Sequence, residues 1–365
     1  MKVECSIEKL KNAISQADRI TGKNLSLPIL SSVLLIATDK KLKIRATNLS
    51  LGIEIEIPAK VEKEGVAALQ GSVVSNIFSS INQNENVYLE LINDNLSIQT
   101  SNNSILVKNY PHDDFPTIPM VTGTSITIPA NKFIDGMKSV FYSAAVSDIK
   151  PEISSVYIYS EEDFLVFVST DSFRLAEKKI PVKKIGEFKN IIIPFKNIPE
   201  IIRLFDNMQS DLEITFSENQ ISFSGNGIYL SSRIIDGVFP DYKQIIPKTH
   251  TTEAIVLKTD LLNALKLSNI FSDKFNQITL RVKPVEKLFE LQSKNADVGE
   301  NNTQVSAALT GDDIDVSFNF KYFMDAFQSL PHDSIIINLN GENKPLVIKG
   351  QSDNSFTYLI MPMNR

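Results

Sequence analysis

Read for its hydrophobic and polar positions, the chain switches repeatedly between period two and the period of a helix. "VECSIEKLKNAIS" from Val3, "ITIPANKFIDGMKS" from Ile126 and "AIVLKTDLLNALKLS" from Ala254 each run as a short alternating strand and then a helical stretch. A second helical stretch lies downstream of each: "LQGSVVSNIFSSI", "IPFKNIPEIIRLF" and "FNFKYFMDAFQSL". Together they predict helices over 6–20, 72–83, 130–143, 195–206, 258–269 and 319–330. Alternating segments such as "KLKIRATN", "NVYLELI", "FLVFVST" and "SIIINL" fill the intervals as strands, with Asn-Asp-Asn, Gly-Asn-Gly and Asn-Gly-Glu as turns.

The pattern repeats three times. Matching Leu10 to Phe133 and Leu262 gives offsets of 123 and 129, and matching Ile81 to Phe205 and Leu330 gives 124 and 125. The joints repeat too: "HDDFPTIP" and "DGVFPDYKQIIP" both carry Phe-Pro, and Phe115 to Phe239 is again 124. Paired prolines stiffen such joints. The expected fold class is α+β, with three repeated domains over 1–122, 123–249 and 250–365, each two helices packed on antiparallel sheets of roughly eight strands. The strands "ILVKNYP" and "YLSSRIID" that precede the joints correspond to "FTYLIMP", which stops where a joint would begin. Residues to about Ile360 should finish a sheet, leaving apolar Met361, Pro362 and Met363 to pack in a core or to wall a groove.

Composition excludes more than it names. A hydrophobic share of 42% and a charged share of 22% are ordinary for a globular protein. No apolar run of about 18 residues and no signal-peptide core occur, which points to the cytoplasm. The single Cys5 sits in an alternating strand as a small hydrophobe and rules out an intramolecular disulfide or a Cys-rich metal site. His112, His250 and His332 lie in turns or joints away from any motif, and the pairs Asp113/Asp114 and Asp312/Asp313 read as solvated turns. No H-x-x-x-H, C-x-x-C or G-x-S-x-G pattern occurs. Acid and base carboxylates of the glycosidase kind meet only in space, so the sequence leaves that possibility open. No catalytic residue, metal or cofactor is expected.

Charge is distributed unevenly. The chain carries −6 overall, +3 over the six predicted helices and therefore −9 over the remainder. Of 37 basic residues only seven are Arg, so any contact with phosphate rests on Lys, which does not read sequence.

Four stretches make the chain recognisable: "LPIL" at Leu27–Leu30, "STDSFRLA" at Ser169–Ala176, "DGVFPDYKQIIP", and the terminal "YLIMPMNR". Set in a threefold repeat over the whole chain, they resemble the bacterial β sliding clamps, the processivity subunits of DNA polymerase III. The resemblance implies a non-enzymatic protein that forms a head-to-tail homodimeric ring. Such a ring would encircle duplex DNA without sequence preference and tether the polymerase III alpha subunit and other polymerases through short peptide motifs, after placement by a clamp loader. Twelve helices of about 10 Å diameter would line a hole of roughly 28 Å, wide enough for a duplex. A weakly basic lining suits sliding.

The resemblance also carries site residues. The partner-peptide cleft would use Ile153, Thr170, Ser172, Phe173, Arg174 and Leu175, then Pro240, Gln244 and Ile245, then Asn319, Tyr322, Leu359, Met361, Pro362 and Met363. Lys23, Asn24, Lys150, Lys196 and Arg203 would meet DNA. Ile77, Ile81, Ile105 and Val107 would meet Ile270 and Phe271 across the dimer interface. Three positions depart from the family pattern: Ser172 replaces a glycine, Gln244 stands where arginine is frequent, and Asn364 intervenes before Arg365. A competing class is a three-domain enzyme or ligand-binding protein with its site at a domain junction, which would need a cluster of titratable groups at one joint.

Overall fold

A computed structural model describes the chain except for residues 23–25, 83–84, 148, 183–187 and 364–365. Its α-helices are α1 (Ile7–Ile20), α2 (Gly71–Ser80), α3 (Ala130–Val140), α4 (Ile198–Phe205), α5 (Lys258–Ile270) and α6 (Phe320–Ala326). Short 3-10 turns at Phe141–Ser143, Phe195–Asn197 and Phe327–Ser329 complete the stretches expected at 130–143, 195–206 and 319–330. Helix α2 ends at Ser80, short of the expected 83, because Ile81 turns to extended backbone. In α1 the spacing does its work directly: Ile7, Leu10, Ala13, Ile14, Ala17 and Ile20 are its buried residues.

The chain divides into two compact units, Met1–Asn131 with Pro199–Asp236, and Lys132–Ile198 with Gly237–Arg365. The division cuts through the middle repeat because sheets run on across the repeat junctions. In the first unit an eight-stranded antiparallel sheet joins Ile228–Arg233 of the second repeat to Leu51–Pro58 of the first. A five-stranded sheet, with Ser104–Lys108 at one end, completes that unit. In the second unit a nine-stranded sheet joins Phe356–Ile360 to Arg174–Pro181, and a four-stranded sheet has Gly299–Gln304 at one end.

The two junctions share one register. Ser232 pairs with Leu51 and Ile228 with Ile55; one repeat later Ile360 pairs with Arg174 and Phe356 with Lys178. The turn leading into each junction strand is also the same. Thr47 Oγ1 donates to Leu51 O and accepts from Leu49 N, while Asn48 Oδ1 accepts from Ser50 N and Leu51 N. Thr170 and Asp171 make the matching bonds to Arg174 O and from Ser172, Phe173 and Arg174 N.

Helix α1 lies against strands Ser32–Thr38, Lys41–Thr47 and Leu51–Pro58 and against α2. A Cβ on Gly71 would sit 2.4 Å from Asp18 Oδ1, so glycine lets α2 begin this close to α1. In the second unit a Cβ on Gly136 would come within 2.3 Å of the Phe167 ring, and α3 rests on strand Phe164–Thr170 through that gap. Cys5 is buried, and burial pushes its thiol up to about 12, which leaves it inert. His332 is partly exposed, but its Nδ1 is buried without a hydrogen-bond partner, 3.8 Å from Asp353 Oδ2 and close against Gly350. No helix is long and apolar enough to cross a membrane.

Candidate functional site

The second unit gathers all fifteen residues of the expected cleft. At its centre is the hairpin turn between strands Phe164–Thr170 and Arg174–Pro181. Asp171 holds the turn: Oδ1 accepts from Phe173 N at 2.9 Å and Arg174 N at 3.0 Å. Ser172 has φ 77°, the left-handed region where a side chain is strained. This is the physical reason a glycine is usual there, and the same turn in the first unit puts Leu49 at φ 73°. The outcome is a Phe173 side chain 60% exposed beside a firmly tied backbone.

Arg174 is committed to the fold. Its Nε lies 2.9 Å from Asp171 Oδ2, its Nη1 donates to Asp325, and the guanidinium covers the Tyr322 ring at 4.7 Å. Burial alone would favour the neutral form, but Tyr358, Asp171 and Asp325 outweigh it and raise its pKa above the usual arginine range. Tyr358 OH in turn donates to Tyr322 O at 2.9 Å, which fixes α6 to the last strand. Asp171 and Asp325 were not among the expected site residues. For Asp171 the signal was present, since an Asp two residues before a backbone N–H is turn chemistry. Asp325 is 151 residues from Arg174 and left none.

The remaining residues expected in a cleft separate into a buried set and a more exposed one. Leu175 and Leu359 are fully buried, with Ile153 and Thr170 nearly so. Ile245 is 44% exposed, Pro240 and Gln244 are exposed, and Met361, Pro362 and Met363 are half-buried. Gln244 Nε2 donates to Asp241 Oδ2 within the 3-10 turn Tyr242–Ile245. Asn319 is spent as the N-cap of α6, accepting from Lys321 N at 2.9 Å. The tail runs as backbone tied at two points: Met361 N donates to Phe173 O and Met363 N to Ser317 O, both at 2.8 Å. The joint before it is anchored by Phe239, stacked on Tyr157 at 4.8 Å, and by Tyr242, whose OH donates to the buried Glu177.

Of the residues expected to meet DNA, Lys150, Lys196 and Arg203 are exposed, and Arg203 pairs with Glu200 at 2.6 Å. Lys23 and Asn24 lie outside the described residues. Not every helix lysine is available: Lys11 donates to Ser79 O and Lys258 to Leu330 O. Among the residues expected at a dimer interface, Ile270 is 60% exposed, Ile77, Ile105 and Phe271 are half-buried, and Ile81 and Val107 are already buried within the first unit. Leu106, between the two expected strand residues, is 64% exposed. Among the described residues no group of three or more His, Cys, Asp or Glu is placed to hold a metal.

Three family models match in order: the DNA polymerase III beta subunit N-terminal domain over residues 1–119, its central domain over 127–241 and its C-terminal domain over 243–364. A beta sliding clamp of Synechococcus elongatus is 27% identical, covering 100% of this chain and 99% of its own. One from Staphylococcus aureus is 25% identical over 93% of this chain and 92% of its own. The DNA polymerase sliding clamp of Bacillus subtilis has the same fold, with a TM-score of 0.95 at 23% identity over 100% of this chain and 99% of that one.

Proposed function

The chain belongs to the DNA polymerase III beta subunit family, and from that premise we propose that it is a sliding clamp: a ring that encircles duplex DNA and tethers polymerases to it. The observation that carries the reading is the repeated junction. Last strands of repeats, Ile228–Arg233 and Phe356–Ile360, each pair with the strand after the Thr-Asn or Thr-Asp turn of the repeat before. The same rule assigns a partner to Ser104–Lys108, the last strand of the first repeat. Its match is Gly299–Gln304, the strand that follows the corresponding turn in the third. Each of these is an edge with pairing on one side. Pairing them between two copies would make a head-to-tail dimer, and two such contacts would close a ring.

On this reading the three clamp domains are 1–122, 123–249 and 250–365. Ile105 and the exposed Leu106 of one copy meet Ile270 and Phe271 of the other, with the already buried Ile81 and Val107 as support and Ile77 beside them. Lys150 and Lys196 meet DNA as point charges, with Arg203, without reading bases; Lys23 and Asn24 of the expected set lie outside the described residues. Phe173, Ile245, Met361 and Met363 offer the apolar rim of the peptide cleft, where flexible thioethers accommodate several partners. The work is cytoplasmic and has no catalytic step. The deciding experiment loads the protein on nicked circular plasmid, washes in high salt and then linearises the DNA. Retention on the circle and release on linearisation support encirclement; equal loss from both refutes it.

A further inference from the structure

The row of paired residues that starts in the cleft runs on beyond it. Leu175 pairs with Leu359, Leu359 with Val347, and Val347 with Asn338. Residues directly opposite on neighbouring strands share a face, so these four stand side by side on one face of the nine-stranded sheet. Past Leu359 the row enters a depression of about 230 Å³ whose lining includes Lys248, His250, Asn338, Pro345, Val347 and Lys349. Among the described residues no carboxylate lines it, although Glu253 stands opposite Asn338 on the neighbouring strand. Glu253 approaches His250 at 3.6 Å, but neither Lys248 nor Lys349 has an ion-pair partner among the described residues. Asn338 Oδ1 is buried and has no hydrogen-bond partner.

We propose that this depression receives acidic residues flanking the apolar docking motif that a partner places in the cleft. The inference rests on the cleft reading above and adds a second contact to it. Lys248 and Lys349 supply unneutralised positive charge beside the path of a peptide that leaves the cleft along this face. The depression continues from the cleft residues along one face of the sheet, so its occupant is the flank of the same peptide. Leu359 and Asn338 are two strand spacings apart, about 10 Å, which an extended peptide covers in roughly three residues. The acidic group therefore belongs about three residues from the apolar anchor.

The test uses dye-labelled synthetic peptides with a shared Leu-Leu-Phe core, flanked on one side or the other by three Glu or three Gln, and the full-length protein. Screened surface charge pairs are individually weak, so the Glu flank on the correct side should tighten binding about fivefold to tenfold at low salt. That gain should fade at high salt and disappear in Lys248→Glu/Lys349→Glu, which should still bind the Gln-flanked peptide normally. Binding of the Gln-flanked peptide also reports that the variant is folded. Equal affinity for Glu and Gln flanks on both sides overturns the inference and leaves the cleft intact. Failure of every core peptide to bind overturns the cleft reading and this inference together.

Discussion

Leu175 and Leu359 stand directly opposite each other on adjacent strands, and neither has any exposed surface. The junction between the second and third repeats is thus a continuous piece of core, beneath the proposed peptide cleft. Residues proposed to shape a binding surface here also hold the fold together, and experiment separates the two roles.

Truncating this pair is expected to act first on stability. Leu175→Ala or Leu359→Ala should cost about 2–5 kcal/mol, the range for a buried leucine that leaves a cavity. Chemical denaturation would measure it. A loss below about 1 kcal/mol would mean that the site collapses around the gap or is open to solvent.

The strained turn makes the opposite prediction. Ser172→Gly should raise stability by up to about 1 kcal/mol, because glycine adopts φ 77° without a clash and a serine does not. Ser172→Val should lower it. An unchanged melting temperature in both variants would show that the backbone there relaxes.

Deleting Met361 to Arg365 removes two backbone hydrogen bonds, those of Met361 N and Met363 N. The expected stability loss is about 1–3 kcal/mol at 0.5–1.5 per bond, small enough to leave the protein folded. Binding of a short polymerase-derived peptide should be lost. Normal peptide binding by the folded deletion protein would remove the tail from the cleft.

Ile270→Asp should leave each chain folded, since Ile270 is 60% exposed, and should shift sedimentation towards monomer. An unchanged dimer at low concentration would exclude α5 from the contact.

Glu161 accepts from Lys243 and Lys179, and these hydrogen bonds hold its carboxyl below the usual glutamate range. A lowered folded pKa gives stability that is present above the unfolded value, near 4.5, and lost as pH falls through the folded one. Wild type should therefore exceed Glu161→Gln in melting temperature at pH 6 to 7, with the gap closing under strong acid. A gap that stays constant with pH would assign the difference to packing alone.

The sequence by itself determined what is local and periodic. The 3.6-residue spacing of Ile7, Leu10, Ile14 and Ala17 specifies the buried stripe of α1, because that period commits one face of a helix to burial, and the mostly apolar run Phe356–Ile360 reads as a strand whose five residues are all buried. Recurrence of those elements near 124 residues exposed the repeat, and four short motifs set within it carried the resemblance to the family. Long-range closure is different. Nothing local tells Arg174 that Asp325 will neutralise it, or Leu175 that Leu359 will seal it. Those outcomes depend on strands 184 residues apart choosing one register, and the register is decided when both strands bury their apolar residues in one shared core. Which of the expected cleft residues became buried and which stayed exposed was therefore settled by tertiary packing.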